Sequence, residues 1–439
     1  MKSLVKAALL GLLLFGSAHA VTVDQVKTFT LENGMKIMVI EDNSIPNANM
    51  YLFWKAGSRN EAPGITGLSH FFEHMMFNGS KNYGPKMFDR TMEAAGGANN
   101  AYTTPDLTVY TNWFPAEAME TIFKLEADRI QYLEIDPEVV ESERGVVTSE
   151  RSTGLENSNF RALYYQVMGT AFLAHPYSWP VIGHESDIAA WSLQDLKDFH
   201  KTYYAPNNAV VVIAGAVTEA QVRELAKKYF EPIPAQAPPK EVRTVEPLQQ
   251  GERSVYVHKP SVSLPWVMLA YHVPATKHKD FYALDLLQTI LTQGNSSRLH
   301  QGIVEKQTAV QVDGYLPNSL DPSVYSLIGI AAPGVEPTAL RDAMISEVNR
   351  VSAQGVTTEE LEKAKNMKLM EFYQAMSTIN GKSNTVGSYE LYFGDYKKLF
   401  EAPERYSEVT IEDIQRVAQV YLKKSNRTVG ILSSKEDKD

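Results

Sequence analysis

A stretch in the middle of the chain recurs close to its end, and this duplication constrains the fold more than any other feature. Residues 192–213 read SLQDLKDFHKTYYAPNNAVVVI, and residues 410–431, 218 positions later, read TIEDIQRVAQVYLKKSNRTVGI. Each copy predicts a capped helix that leads into a strand. Residues 49–77, a predicted strand, loop and helix, have a counterpart in residues 264–292. We therefore expect two structurally related halves.

A proline-rich, polar stretch separates the two halves and is typical of a semi-rigid linker. The chain has 439 residues, of which 44% are hydrophobic, so it is long enough to bury two cores of ordinary domain size. We predict the α+β fold class. The expected boundaries are a first domain over residues 21–231, a linker over 232–251 and a second domain over 252–439.

The first half contains the sequence His70-Phe71-Phe72-Glu73-His74, in which two imidazoles four positions apart flank a carboxylate. On a helix these three polar side chains project from one side, opposite an apolar stripe formed by Leu68, Phe71, Phe72, Met75 and Met76. Neutral imidazoles are good zinc ligands, and a nearby free glutamate can take a proton from a water whose pKa the ion has lowered to about 7. The segment predicts a zinc site with ligands His70 and His74 and with Glu73 as general base. The corresponding helix of the second half has no such pair, so that half is expected to be a degenerate twin.

A catalytic zinc site needs a third protein ligand. Asp136 and Pro137 predict the start of a helix that carries Glu143 and Glu150 two turns apart on one face. By spacing alone either glutamate could bind the metal, while the other orients a histidine, and both could also be ordinary solvated residues.

These residues resemble the pitrilysin and insulinase family of zinc peptidases, whose HxxEH order is that of the inverzincins, and in particular its short-chain branch, which includes mitochondrial processing peptidase. In that family the third ligand lies about 75 residues beyond the second histidine, and another glutamate precedes it by one heptad. The resemblance thus implies Glu150 as the third ligand of one Zn²⁺ per chain and Glu143 as the residue that orients a histidine. It also implies two α/β rolls, each an antiparallel-rich sheet flanked by helices.

Further stretches extend the resemblance over nearly the whole chain. Residues 96–101, Gly-Gly-Ala-Asn-Asn-Ala, are similar to the family's edge strand beside the zinc, which implies that Asn100 and the backbone of Ala101 hold an extended peptide. The sequence HPY at 175–177 and the sequence PVIG at 180–183 are similar to another family signature. The nearby His175 and His184 are interpreted as packed or hydrogen-bonded loop residues.

One family motif of the second domain is missing. Where many members carry an arginine and a tyrosine thought to hold the substrate, this chain has Val304 and Gln311. In the family, two related chains can close face to face. We therefore predict that this chain is the zinc-bearing subunit of a heterodimer, whose homologous partner carries the arginine and tyrosine. The alternatives are that zinc alone suffices, or that Arg298 or Tyr315 substitutes within this chain.

The first 20 residues predict the cellular location. Lys2 and Lys6, an apolar run and Ala18-His19-Ala20 form a secretory signal peptide with a cleavage site. The run is shorter than a membrane span needs, so we expect no stable membrane anchor. The chain has no cysteine, which suits an oxidising compartment, and the bacterial periplasm is the predicted location.

The net charge of the chain bears on which class of molecule it binds. The net charge is −10 over the full chain and −12 without the two lysines of the signal peptide, which argues against nucleic acid. The sequence therefore favours a zinc peptidase that acts on extended or unfolded peptides. The alternative is a non-catalytic structural or peptide-binding subunit with the same fold.

Overall fold

The computed structural model of the protein describes residues 22–436, and the predicted signal peptide lies outside them. Each half of the chain forms one β-sheet with helices packed against it. The strands of the first sheet are β1 Val26–Thr30, β2 Lys36–Glu41, β3 Asn47–Trp54, β4 Ala98–Thr103, β5 Thr108–Pro115 and β6 Ala209–Gly215. The strands of the second sheet are β7 Arg253–His258, β8 Trp266–Val273, β9 Ala309–Tyr315, β10 Ser323–Ala331 and β11 Arg427–Ser433.

The two sheets share one five-stranded topology. The first has the order β1-β2-β6-β3-β5-β4 and the second the order β7-β11-β8-β10-β9. In each sheet the first two of the five shared strands, β2 with β6 and β7 with β11, run parallel, and the remaining neighbours are antiparallel. The predicted α+β class with two related rolls is thereby confirmed, and β1 is an addition to the first half.

Helices cover both sheets. Those of the first half are α1 Leu68–Met75, α2 Met87–Ala94, α3 Met119–Tyr132, α4 Pro137–Asn157, α5 Asn159–Ala171, α6 Glu185–Ala190, α7 Leu193–Tyr203 and α8 Glu219–Tyr229. Those of the second half are α9 Phe281–Thr292, α10 Pro337–Gln354, α11 Thr358–Ala375, α12 Ile379–Ser388, α13 Lys398–Glu408 and α14 Ile411–Tyr421. Within residues 22–436, no helix combines the length and the apolar character that crossing a membrane requires.

The repeated sequence forms the same helix cap and the same asparagine hydrogen bonds in both halves. Ser192 and Thr410 each begin their helix, α7 and α14, with a capping box. The amide of Asn208 donates to the carbonyl of Tyr203 at 2.8 Å, and that of Asn426 donates to the carbonyl of Tyr421 at 2.7 Å. Both amides also bond to a carbonyl at one end of the neighbouring strand, β3 or β8. The repeat therefore fixes the connection between each helix and the strand that follows it, β6 or β11.

The halves exchange one helix each across their boundary. Helix α5 belongs to the first half in sequence but packs on β11, β7 and β8 of the second sheet, while α12 of the second half packs on β6 and β3 of the first. The contacts are close: a Cβ atom at Gly430 would lie 2.3 Å from Val167, and one at Gly387 would lie 2.2 Å from Phe53. The two halves are thus interlocked.

The connection between the halves has no helix or strand over residues 234–250. It is nevertheless attached to the first half, because the Glu246 carboxylate accepts hydrogen bonds from the backbone N–H groups of Leu173, Ala174 and His175 at 2.8–3.0 Å. The domain boundaries predicted from the sequence divide the chain at the linker. The packing divides it differently, because α5 packs on the second sheet and α12 packs on the first.

Candidate metal centre

Three side chains from two helices converge on one point. His70 and His74 extend from α1 and Glu150 from α4, and one ligand atom of each lies within 4.8 Å of the others. The Nε2 atoms of His70 and His74 are 3.6 and 3.5 Å from the Glu150 Oε2 atom. Two ligands held about 2.1 Å from a tetrahedral zinc ion lie about 3.4 Å apart, so this donor set fits zinc.

Helix α1 is held in place by its apolar stripe. Leu68, Phe71, Phe72 and Met75 are fully buried in the first core, and the Tyr110 hydroxyl donates to the Phe72 carbonyl at 2.9 Å. His70, Glu73 and His74 are partly exposed on the other side, as the sequence predicts. Burial of the stripe therefore fixes the direction in which the three polar side chains point.

Glu143 takes a different place from Glu150. Its Oε1 atom lies 2.7 Å from His74 Nδ1, and its Oε2 atom accepts a hydrogen bond from the Asn78 amide at 2.8 Å. It therefore lies behind His74 and leaves Nε2 directed at Glu150. Asn78, which sequence reasoning missed, fixes Glu143 in turn. The only sequence signal for Asn78 is its position one helical turn after His74.

The two histidines have opposite electrostatic environments. Burial, with the neighbouring charge of His74, lowers the pKa of His70 to about 4, which keeps this imidazole neutral. Burial also opposes the charge on His74, but hydrogen bonds with the carboxylates of Glu143 and Glu150 outweigh it and raise its pKa to about 9. The pKa values of the Glu143 and Glu150 carboxyl groups are lowered mainly by their hydrogen bonds with His74, so two carboxylates outnumber one protonated imidazole and the cluster attracts a cation.

Glu73 stands beside this cluster without belonging to it. Burial raises the pKa of its carboxyl group, and a hydrogen bond from the Thr103 hydroxyl to Oε2 at 2.5 Å partly offsets the increase. Thr103 is the last residue of β4, so the edge strand and the glutamate are directly joined. The sequence motif does not reveal this contact.

Strand β4 lies at the free edge of the first sheet. Asn100 and Ala101 are in its middle, and both line the depression that also contains Glu73, His74 and Glu143. The Ala101 N–H donates to the Asn100 side-chain oxygen at 2.9 Å. This backbone donor is therefore satisfied by the side chain of its neighbour.

Other residues considered in the sequence lie outside the cluster. His175 is buried, with Nε2 3.1 Å from Asp321, and the backbone N–H of His184 donates to Thr66 at 2.9 Å. Arg298 forms a two-point ion pair with Glu360, both contacts at 2.7 Å. Tyr315 is half exposed at the end of β9.

Comparison with known proteins shows the family to which this chain belongs. Residues 36–184 match the family model described as insulinase (peptidase family M16), and residues 190–368 match the one described as the peptidase M16 inactive domain. The chain therefore belongs to peptidase family M16. Within residues 22–436, the group of His, Asp and Glu side chains placed to hold a metal ion, His70, His74 and Glu150, lies in the first half.

Individual relatives match over almost the full length. The chain is 33% identical over 413 residues to the zinc protease PqqE of Helicobacter pylori, with 92% of each covered. A crystal structure of a protease from Helicobacter pylori gives a TM-score of 0.90 at 32% identity, covering 93% of this chain and 99% of that one. A probable mitochondrial-processing peptidase subunit beta of Arabidopsis thaliana is 23% identical over 414 residues, covering 92% of this chain and 77% of that protein.

Proposed function

We propose that this chain hydrolyses peptide bonds in extended or unfolded peptides as a zinc metallopeptidase. Membership of the M16 family and relatives named zinc proteases support this activity. The observation that carries the proposal is the position of Glu73, a carboxylate beside the His70, His74 and Glu150 cluster and bonded to the edge strand. A site that only stored metal would have no use for such a group.

Each residue of the centre has a role in this proposal. His70, His74 and Glu150 would hold the zinc ion, which would act as a Lewis acid that lowers the pKa of a water and polarises the peptide carbonyl. Glu73 accepts the proton of the attacking water on its carboxylate and delivers it to the amine that leaves. The pKa of Glu73 is raised by burial, which brings it closer to the neutral range where a general base works best. Glu143 keeps His74 in position.

The substrate in this proposal pairs with β4 as an additional strand. The free edge of β4, with Asn100 and the Ala101 N–H beside the metal cluster, supports this mode of binding. Main-chain hydrogen bonds recognise an extended backbone and not a particular sequence, and folded proteins cannot supply such a strand.

The proposal includes a partner and a location. We infer that the chain is the zinc-bearing subunit of a heterodimer, completed by a homologous chain that carries the arginine and tyrosine replaced here by Val304 and Gln311. The similarity to a protein named as a subunit supports this inference. The signal-like first 20 residues and the lack of cysteine support export to the periplasm.

The test is hydrolysis of a quenched fluorescent peptide library by the purified chain, alone and mixed with the candidate partner, with zinc content measured in parallel. Glu73→Gln is expected to retain zinc and lose hydrolysis, whereas Glu224→Gln, an exposed glutamate on α8, serves as the matched control. Unchanged turnover in Glu73→Gln would refute the mechanism. Activity only in the mixture supports the heterodimer, and zinc without activity in any sample favours a structural or peptide-binding subunit.

A further inference from the structure

Arg161 lies beside the metal cluster, in a notch formed by a glycine. It belongs to the first turn of α5, and its guanidinium covers Gly154 of α4. The Nη1 atom is 2.7 Å, and the Cζ atom 3.7 Å, from the place that a Cβ atom of residue 154 would take. Any side chain larger than hydrogen at Gly154 would displace the guanidinium, so the two residues form one feature.

The notch is close to the predicted metal ligand. Gly154 follows Glu150 by four residues on α4, so both lie on one helix face about 6 Å apart along the axis. The charge of Arg161 acts on the cluster: burial is the main cause of the low pKa of His70, and Arg161 adds to it. The guanidinium therefore lies about one helical turn along α4 from the predicted ligand Glu150.

Arg161 also differs from the cations around it. Arg151 donates to the Gly183 carbonyl and pairs with Glu185, and the Lys259 ammonium donates to the carbonyls of Leu155 and Glu156 at 3.0 and 2.8 Å. Arg161 is exposed, and among residues 22–436 its guanidinium has no carboxylate within ion-pair distance. The charge of Arg161 helps to lower the pKa of Glu150, but the two side chains do not form an ion pair.

We propose that Arg161 binds a carboxylate of the peptide substrate close to the scissile bond. This proposal rests on the peptidase function proposed above and adds a substrate class. A guanidinium offers paired N–H donors that match a carboxylate. In a chain of net charge −10, which repels anionic peptides, this free cation selects for them locally.

The carboxylate has two chemical sources, an aspartate or glutamate side chain and the C-terminus of the peptide. One peptide series scans a single glutamate, with a glutamine counterpart, over three positions on each side of the cleaved bond. A second series compares a free C-terminal carboxylate with its amide. The quantities measured are kcat/KM with the zinc-loaded protein, alone and mixed with the candidate partner, and Kd, by fluorescence anisotropy, with its Glu73→Gln form.

For the wild type we expect about a tenfold or greater preference for the carboxylate at one position of one series, which identifies its source. Arg161→Ala should reduce this preference close to unity. Arg161→Glu should reverse it, so that a lysine peptide becomes the better ligand. Arg161→Lys should keep part of the preference because it retains the charge. Arg243→Ala, which removes an exposed arginine from the linker, should keep all of it.

Two results would overturn the inference: a wild type indifferent to carboxylates in both series, or an Arg161→Ala protein that retains the preference. Zinc content and thermal midpoint show whether each variant is folded, and the charge reversal gives a gain that misfolding cannot produce. Absence of hydrolysis in every sample, both with and without the candidate partner, would instead refute the proposed peptidase function, and the Kd series would still decide the role of Arg161.

Discussion

Thr103 donates a hydrogen bond from its hydroxyl to the Glu73 carboxylate, at 2.5 Å, and so joins the edge strand to the proposed general base. The contact crosses from β4 to α1, which are separate in sequence but adjacent at the metal cluster. A peptide that pairs with β4 would therefore lie beside the carboxylate that Thr103 orients. Substrate alignment and the position of the base depend on the same strand.

Thr103→Val should lower kcat/KM about tenfold or more while zinc content stays unchanged. The valine has a similar shape but lacks the hydroxyl, and a hydrogen bond to a charged group contributes about 1.5–3 kcal/mol. Steady-state kinetics and metal analysis of the same preparations check this. Thr103→Ser retains the donor and should recover most of the activity. Equal activity in the valine variant and the wild type would show that Glu73 needs no such partner.

Glu143→Ala should weaken zinc binding by about 10- to 100-fold. The variant removes the carboxylate that lies 2.7 Å from His74 Nδ1, so the imidazole loses the partner that orients it. Competition with a chromophoric chelator measures the affinity. Glu141→Ala is the matched control, because Glu141 is on the same helix with its side chain 76% exposed and pairs with Arg144. Similar affinities for both variants would argue against this role.

An ion pair between Asp42 and Lys382 links the first half to the exchanged helix α12, and its contribution should depend on pH. Burial raises the pKa of Asp42, but hydrogen bonds from Lys382 and Ser44 outweigh this and lower it to about 2, from the ordinary 3.8. Because the pKa is lower in the folded protein, the stabilisation is complete above about pH 4 and is lost as the pH falls towards 2.

The variant Lys382→Met should therefore lower the free energy of unfolding by about 2 kcal/mol at pH 6. The difference from the wild type should narrow below pH 4, as Asp42 becomes protonated. Urea unfolding at pH 6 and pH 3 measures it, and Asp42→Asn tests the other partner. A difference that does not change with pH would mean that packing of the lysine stem, and not its charge, stabilises the contact.

Gly387→Ala should destabilise the protein by about 1–3 kcal/mol, because the added methyl group would lie 2.2 Å from Phe53 at the contact between α12 and the first sheet. Gly145→Ala is the control. No atom comes within 4 Å of a Cβ at this exposed helical position, so the alanine should raise the free energy of unfolding by about 0.5–1 kcal/mol. Thermal unfolding of both variants gives the comparison. A stable Gly387→Ala protein would show that α12 can move away from the sheet.

Local patterns of the sequence carry much of the fold and part of the site. The spacing of His70 and His74 on a helix with an apolar stripe needs only the 3.6-residue period to place both imidazoles on one side. The recurrence of residues 192–213 at 410–431 likewise predicts two related sheets, since similar capping and strand patterns form similar local structure. Both features depend on neighbours within a few residues, which the sequence states directly.

The sequence does not predict how groups that are distant along the chain are arranged in space. By spacing, Glu143 and Glu150 were equivalent candidates, and only the crossing of α4 over α1 places one against both Nε2 atoms and the other behind His74. The Thr103 contact with Glu73 and the Arg161 contact with Gly154 likewise need the packing of separate elements.

The exchanged helices α5 and α12 show the same difference between local sequence pattern and tertiary packing. Helix α5 buries Leu163 and Val167, and α12 buries Ile379 and Val386, but the residue types of a helix do not say which sheet its buried side covers. The sequence by itself determined the helix that carries the histidines, the duplicated topology and the types of residue available for the site. The tertiary structure alone decided which of these residues meet, because those contacts depend on how whole helices and sheets pack, and burial of apolar surface has no direction of its own.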